Sequence, residues 1–237
     1  WRALSAEDEQ ALLDRGMNRV TDTCIPETVM RHIEARLIDQ WKASAAKGAR
    51  LSPAEHLWAV LDDPSLAQHF QIPAEESWLL AARQAGIPVY TPGWEDSTTG
   101  NMFAAAVWRG DLPDHGCVIS GTAQMQRLMR WYVDEHEARA EGAPSVGFFQ
   151  IGGGIAGDFA ICAVPALIQD LHLDIPLWGY FCQISDAVTS YGGYSGAVPN
   201  EKITWGKLAV DTPKFMIQSD ATIVAPLVFA WLLGGGE

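Results

Sequence analysis

Ser145-Val-Gly-Phe-Phe-Gln-Ile-Gly-Gly-Gly-Ile-Ala-Gly157 decides the fold. The run from Ser145 to Ile151 reads as a strand, and it passes through Gly152, Gly153 and Gly154 into a helical pattern from Ile155 to Leu171. A strand turning through glycines into a helix is the first half of a βαβ unit. Gly152 to Gly157 is formally a G-x-G-x-x-G, whose glycines let a pyrophosphate approach the N–H groups at a helix N-terminus. The motif alone leaves two readings open, a cofactor loop or tight strand–helix packing. No acid lies about 20 residues on at a strand end to take a ribose, because Asp174 precedes its strand.

Outward from this unit the alternation continues. Downstream come a buried strand from Ile175 to Ile184, a glycine-rich loop, a strand from Lys214 to Gln218 and an apolar helix from Ala221 to Gly234. Upstream, helical spacing runs over Ser5–Arg15, Pro26–Ala46, Ser52–Leu61, Ala74–Gln84 and Thr122–Ala140, with strands at Ile87–Tyr90 and Cys117–Ser120. Strands alternating with helices imply an α/β fold with a doubly wound, mostly parallel, Rossmann-like sheet, a single domain over residues 1–237. In such sheets ligands bind beyond the carboxyl ends of the strands, which singles out the loops after Tyr90, Ile151, Ile184 and Gln218. Asp96 and Asp220 lie in two of these loops, each readable as a ligand contact or as a turn or cap residue.

With 237 residues, 48% of them hydrophobic, the chain can bury a substantial core. A net charge of −13 without a basic cluster argues against nucleic acid and anionic membranes as partners and suits cationic small molecules. Cys24, Cys117, Cys162 and Cys182 are widely spaced without a CxxC pattern, which suggests buried thiols and a cytoplasmic protein. The histidines form no ligand spacing, so no metal is expected. The run from Ala221 to Gly234 is shorter than the ~20 residues of a membrane span. The chain opens Trp1-Arg2-Ala3 rather than on methionine, so an upstream segment is expected.

Chemistry concentrates in Ser190-Tyr-Gly-Gly-Tyr-Ser-Gly-Ala-Val-Pro-Asn-Glu-Lys-Ile-Thr-Trp-Gly-Lys207. Glu201 can hold an ammonium, the Trp205 indole can exclude water, and a lysine desolvated beside it gains nucleophilic character.

This segment resembles the lysine loop of deoxyhypusine synthases, S-G-A-x-P-x-E-x-x-x-W-G-K, at Ser195 to Lys207. The resemblance extends to Gly16-Met-Asn-Arg-Val20, to the I-P-V-x-x-P-x-x-x-D-x-x-x-G pattern of Ile87 to Gly100, and to the glycine triplet Gly152–Gly154. Val210-Asp211 and Ser219-Asp-Ala-Thr-Ile-Val-Ala-Pro226 complete it. It implies NAD-dependent aminobutyl transfer: spermidine is oxidised beside its secondary amine, and the butyl group passes through an imine on the lysine to an acceptor amine. By motif, Lys207 is the imine carrier, with Glu201 and Trp205 as its substrate clamp. Gly152, Gly153, Gly154, Asp96, Ser195, Asp220 and Ala221 would contact NAD.

Four positions depart from the family pattern. Asp158 stands where the family has its basic histidine and Cys162 where it has an asparagine; Asn101 and Tyr194 stand where it has acids. Asp158 can replace the histidine as base or as ammonium anchor, but not equally well as both. The expected function is therefore a deoxyhypusine synthase-like transferase with altered amine specificity, acting on small polyamines as in homospermidine formation. The alternatives are a true deoxyhypusine synthase acting on a lysine of the hypusine-bearing translation factor, and a catalytically silent regulatory paralogue. The family further implies a homotetramer, and an upstream N-terminal segment or separate chain that completes the NAD site.

Overall fold

The computed structural model describes residues 4–234, apart from the side chains of Met30 and His32; Trp1 to Ala3 lie outside the described residues. The chain divides into two compact units, which meet in sequence between Ile119 and Ser120.

The first unit is mainly helical. Ser5 and Ser52 open the helices Ala6–Asp14 and Pro53–Leu61 with reciprocal capping boxes to Asp8 and Glu55, satisfying N–H groups the helix itself leaves unpaired. The helix Glu27–Ala46 sends Leu37 and Trp41 into a core with Val60, Leu66, Met102 and Phe103. There Trp41 meets Phe103 edge-to-face, 5.0 Å between centroids. A hairpin of β1 (Met17–Val20) and β2 (Thr23–Pro26) was not predicted. Its residues are largely exposed and lack the apolar alternation that would betray it.

Three expectations for this unit are corrected. Ile87–Tyr90 is not a strand: the Ile87 N–H closes the preceding helix on Ala82 O, and Pro88 has no N–H to offer a neighbour. Cys117–Ser120 contributes only an isolated parallel bridge, Val118 to Leu51. The loop expected after Tyr90 gives way at Thr98 to a helix, Thr98–Trp108, because Ser97 caps it by accepting from Gly100 N–H.

The second unit carries a parallel sheet of β3 (Gly147–Ile151), β4 (Tyr180–Ser185) and β5 (Lys214–Gln218) in the order β3-β4-β5. Gln150 pairs with Gln183 and Ile184 with Ile217 across it. The unit is thus mixed α/β, and all three strands end on one side, at Gly152, Asp186 and Ser219. The strand expected from Ile175 begins only at Tyr180, because the Trp178 N–H goes to Lys207 O and the segment before it is not laddered. The helix expected over Ile155–Leu171 is two, Gly154–Ile161 and Ala163–Gln169. Pro165 explains the break: it lacks the N–H that would bond Ile161 O one turn back. That carbonyl instead accepts from the Trp178 indole N–H at 3.0 Å, both partners being buried.

Cys117 and Cys182 are buried as expected, whereas Cys24 is exposed on the hairpin and Cys162 partly so; all four are free thiols. Among the described residues no helix is long and apolar enough to cross a membrane, and no three of His, Cys, Asp and Glu gather as a metal site.

Candidate active site

The glycine triplet leaves β3 at its carboxyl end. Gly152 and Gly154 have φ of 79° and 67°, a region costly for residues with a Cβ. At Gly153 an added Cβ would stand 2.6 Å from Ser195 Cβ and against its Oγ, so the loop and the turn Gly193–Gly196 meet backbone to side chain. The Ser195 hydroxyl accepts from Gly154 N–H at 2.9 Å.

Two buried glutamines fasten the same junction. Gln150 Nε2 donates to Gly152 O at 2.9 Å, and Gln183 Nε2 donates to Gly152 O at 3.1 Å and Ser195 O at 2.9 Å. Gln150 Oε1 accepts from the Tyr194 hydroxyl at 2.7 Å. Gln183 Oε1 is buried with no partner among the described residues. Neither glutamine was singled out from the sequence. The signal was there: each is a polar residue inside an otherwise apolar strand, and the two are cross-strand partners.

Beside this junction lies a cavity of about 630 Å³. Asp158 and Cys162 line it from the helix after the glycines and Gln169 and Asp170 from the next; Tyr194, Glu201, Trp205 and Lys207 come from the lysine loop. Six predicted site residues thus share one space: Asp158, Cys162, Tyr194, Glu201, Trp205 and Lys207. Lys207 is only 6% exposed, and its Nζ donates to Asp158 Oδ1 at 2.9 Å. Cys162 Sγ lies 3.6 Å from the same oxygen, and burial pushes its thiol pKa up. The ring beside the Lys207 ammonium is that of Tyr194, 5.4 Å to its centroid. Trp205, expected to desolvate this lysine, is 67% exposed at the rim with exposed Glu201. Burial, then the charges of Asp158, push the Tyr194 phenol well above its ordinary range, so it remains a neutral donor.

Lys202 was also missed. It is 2% exposed and lines the cavity, its Nζ over the Phe181 and Tyr194 rings at 4.7 and 5.0 Å. Burial, then the Lys207 charge, lower its pKa. A lysine in a polar loop carries no pattern that predicts its burial.

The remaining predicted residues do not line this cavity. Asp220 caps the helix Ala221–Leu233, accepting from Thr222 N–H at 2.8 Å and Thr222 Oγ1 at 2.7 Å, and these bonds hold its carboxyl below the usual range. Ala221 opens that helix. Asp96 and Asn101 belong to the first unit, exposed in a turn and in the first turn of Thr98–Trp108.

Comparison with known proteins bears on this arrangement. The sequence model of the family described as "DS: Deoxyhypusine synthase" matches residues 3–232. The chain belongs to the deoxyhypusine synthase family. A "Deoxyhypusine synthase-like protein" of Nostoc punctiforme is 33% identical over 168 residues, 69% of this chain and 40% of that protein. "Probable deoxyhypusine synthase 2" of Methanosarcina mazei is 26% identical over 223 residues, 94% of this chain and 59% of that protein. "Probable deoxyhypusine synthase" of Aeropyrum pernix is 27% identical over 236 residues, 96% of this chain and 66% of that protein. The chain therefore spans between about two fifths and two thirds of the length of these family members.

Proposed function

We propose that this chain carries the imine-forming lysine of an NAD-dependent aminoalkyl transferase acting on polyamines. Its amine specificity has shifted from protein lysine toward small free amines, as in homospermidine formation. The observation that carries the reading is Lys207: buried, ion-paired to Asp158 at 2.9 Å, and facing a cavity with room for an extended amine.

Lys207 reacts as the neutral amine. It reaches that form by passing one ammonium proton to Asp158 Oδ1, within hydrogen-bond reach; the proton shed when Nζ adds to the carbon of a substrate imine goes to the departing amine nitrogen. Collapse toward a new C=N bond at Nζ releases diaminopropane from the same carbon. Asp158 already takes Lys207 and Cys162 as neighbours, which favours the role of base over that of substrate anchor. Glu201 and Trp205, open at the rim, suit the far ammonium of a polyamine through charge and cation–π attraction.

Bound NAD would supply the oxidation beside the amine nitrogen and its later reversal. The residues present fit it: side chains at Gly152 and Gly154 would project into open space, and the N-cap of the helix Gly154–Ile161, Gly153, has no side chain to occupy the N–H groups beyond the Gly154 N–H that Ser195 takes. Gly152, Gly153, Gly154, Ser195, Asp220 and Ala221 would hold it at the strand ends. This reading goes with a doubly wound sheet and a cytoplasmic homotetramer.

The test incubates the NAD-loaded protein with spermidine and putrescine and traps with borohydride. The expected result is an aminobutyl adduct on Lys207 together with free homospermidine. Labelling of the translation factor alone would reassign the acceptor to a protein lysine, and no adduct under any amine would refute the transferase.

A further inference from the structure

The chemistry above uses one of the cavity's two lysines. Lys202 is the more buried, yet its ammonium is the less satisfied. Of three N–H donors, one reaches Ala197 O at a long 3.4 Å and the charge otherwise faces two aromatic rings. Among the described residues no carboxylate forms an ion pair with it. Burying an ammonium without an anion is costly, and a polyamine occupying this cavity would bring more positive charge to the same place. A ligand carboxylate would instead make charge-assisted hydrogen bonds to Nζ with little competition from water. At the rim the charge is opposite, with Glu201 and Asp170 both exposed. The cavity is therefore electrostatically bipolar, cation inside and carboxylates outside.

We propose that one of the amines this cavity accepts carries a carboxylate, seated on Lys202, with its ammonium toward Glu201 and Asp170. The class is an aminocarboxylate with a short aliphatic spacer. The proposal rests on the reading of this cavity as the amine site, and it concerns binding rather than imine formation.

γ-Aminobutyrate and putrescine share a four-carbon amine frame and differ in carboxylate against ammonium, so they make the test. Calorimetric titration of the NAD-loaded protein should show γ-aminobutyrate binding at least about tenfold tighter than putrescine, one charge-assisted bond's worth. Lys202→Met should abolish that preference while Lys202→Arg keeps it. Equal or tighter binding of putrescine, no binding of either, or a preference that survives Lys202→Met overturns the proposal. The wild-type comparison needs no variant, so a misfolded Lys202→Met leaves the test intact. Borohydride trapping at Lys207, run beside it, separates the two claims. A Lys202-dependent preference without an adduct removes imine chemistry and keeps the carboxylate site; an adduct without the preference does the reverse.

Discussion

Asp158→Asn leaves Lys207 in place and takes away its anion. At 2.9 Å the pair attracts by about 1.4 kcal/mol in a water-like dielectric and about 5.7 kcal/mol at an effective constant of 20. The Asp158 side chain is half exposed, which pulls the figure toward the lower end, whereas that of Lys207 is 8% exposed and would be left as a buried unpaired cation. We expect Asp158→Asn to cost about 2 kcal/mol. Lys207→Met, which removes the charge but keeps the stem, should cost less than about 1 kcal/mol, because the Asp158 carboxylate left behind is half exposed and is solvated by water. In the double variant the asparagine faces no charge, so most of its penalty should vanish. The coupling energy from urea denaturation of all four proteins should be at least about 1 kcal/mol at constant m-value. Additive effects, with coupling below about 0.3 kcal/mol, would refute the pairing and with it Asp158 as the proton acceptor for Lys207.

Trp178→Phe should destabilise by about 1–3 kcal/mol by stranding the buried Ile161 carbonyl, and adding Pro165→Ala, which restores the helical donor, should recover part of the loss in thermal melts; no recovery would sink the account of the helix break. His56 is buried, its Nε2 bonded to Cys117 O at 3.0 Å and its Nδ1 unpartnered among the described residues, and burial depresses its pKa. Below about pH 6.5 the unfolded chain binds a proton that the folded one refuses, so stability is lost as pH falls, by up to about 1.4 kcal/mol per unit until the folded pKa is reached. His56→Gln should flatten the dependence of the urea midpoint on pH, and an unchanged slope would assign the acid sensitivity elsewhere. Gly153→Ala should weaken NAD binding at least tenfold and also lower the melting temperature, since the added methyl would stand under 3 Å from the Ser195 side chain and backbone; unchanged NAD titration would detach this loop from the cofactor.

The elements legible in the sequence were those with strong periodicity: the long helices, β3, β5 and, but for its last residue, β4. Proline and tertiary hydrogen bonding defeated the rest. Ile87–Tyr90 has strand composition but spends its first N–H on the preceding helix. The break at Cys162 follows from Pro165, but the indole that makes it tolerable comes from Trp178, on a different segment. At the site, a motif brought together residues far apart in sequence, Asp158 and Lys207 among them. The packing partners followed no motif, and so Tyr194, rather than Trp205, proved to be the ring against the lysine, and Lys202 and the paired glutamines emerged only from the structure.

Gly152 O is held by two amides, Gln150 and Gln183, whose remaining bonds run to Tyr194 and Ser195. The glycine loop and the lysine cavity therefore share a mechanical joint. A ligand that shifts Gly152 must either stretch that joint or carry the aromatic floor of the lysine cavity with it. We expect the occupancies of the two to be thermodynamically linked, each changing the affinity for the other by the same factor. Gln150→Leu, which cuts the joint on the Tyr194 side, should bring that factor toward one. Titrations of amine with and without NAD that already agree in the wild type would show that the joint transmits nothing.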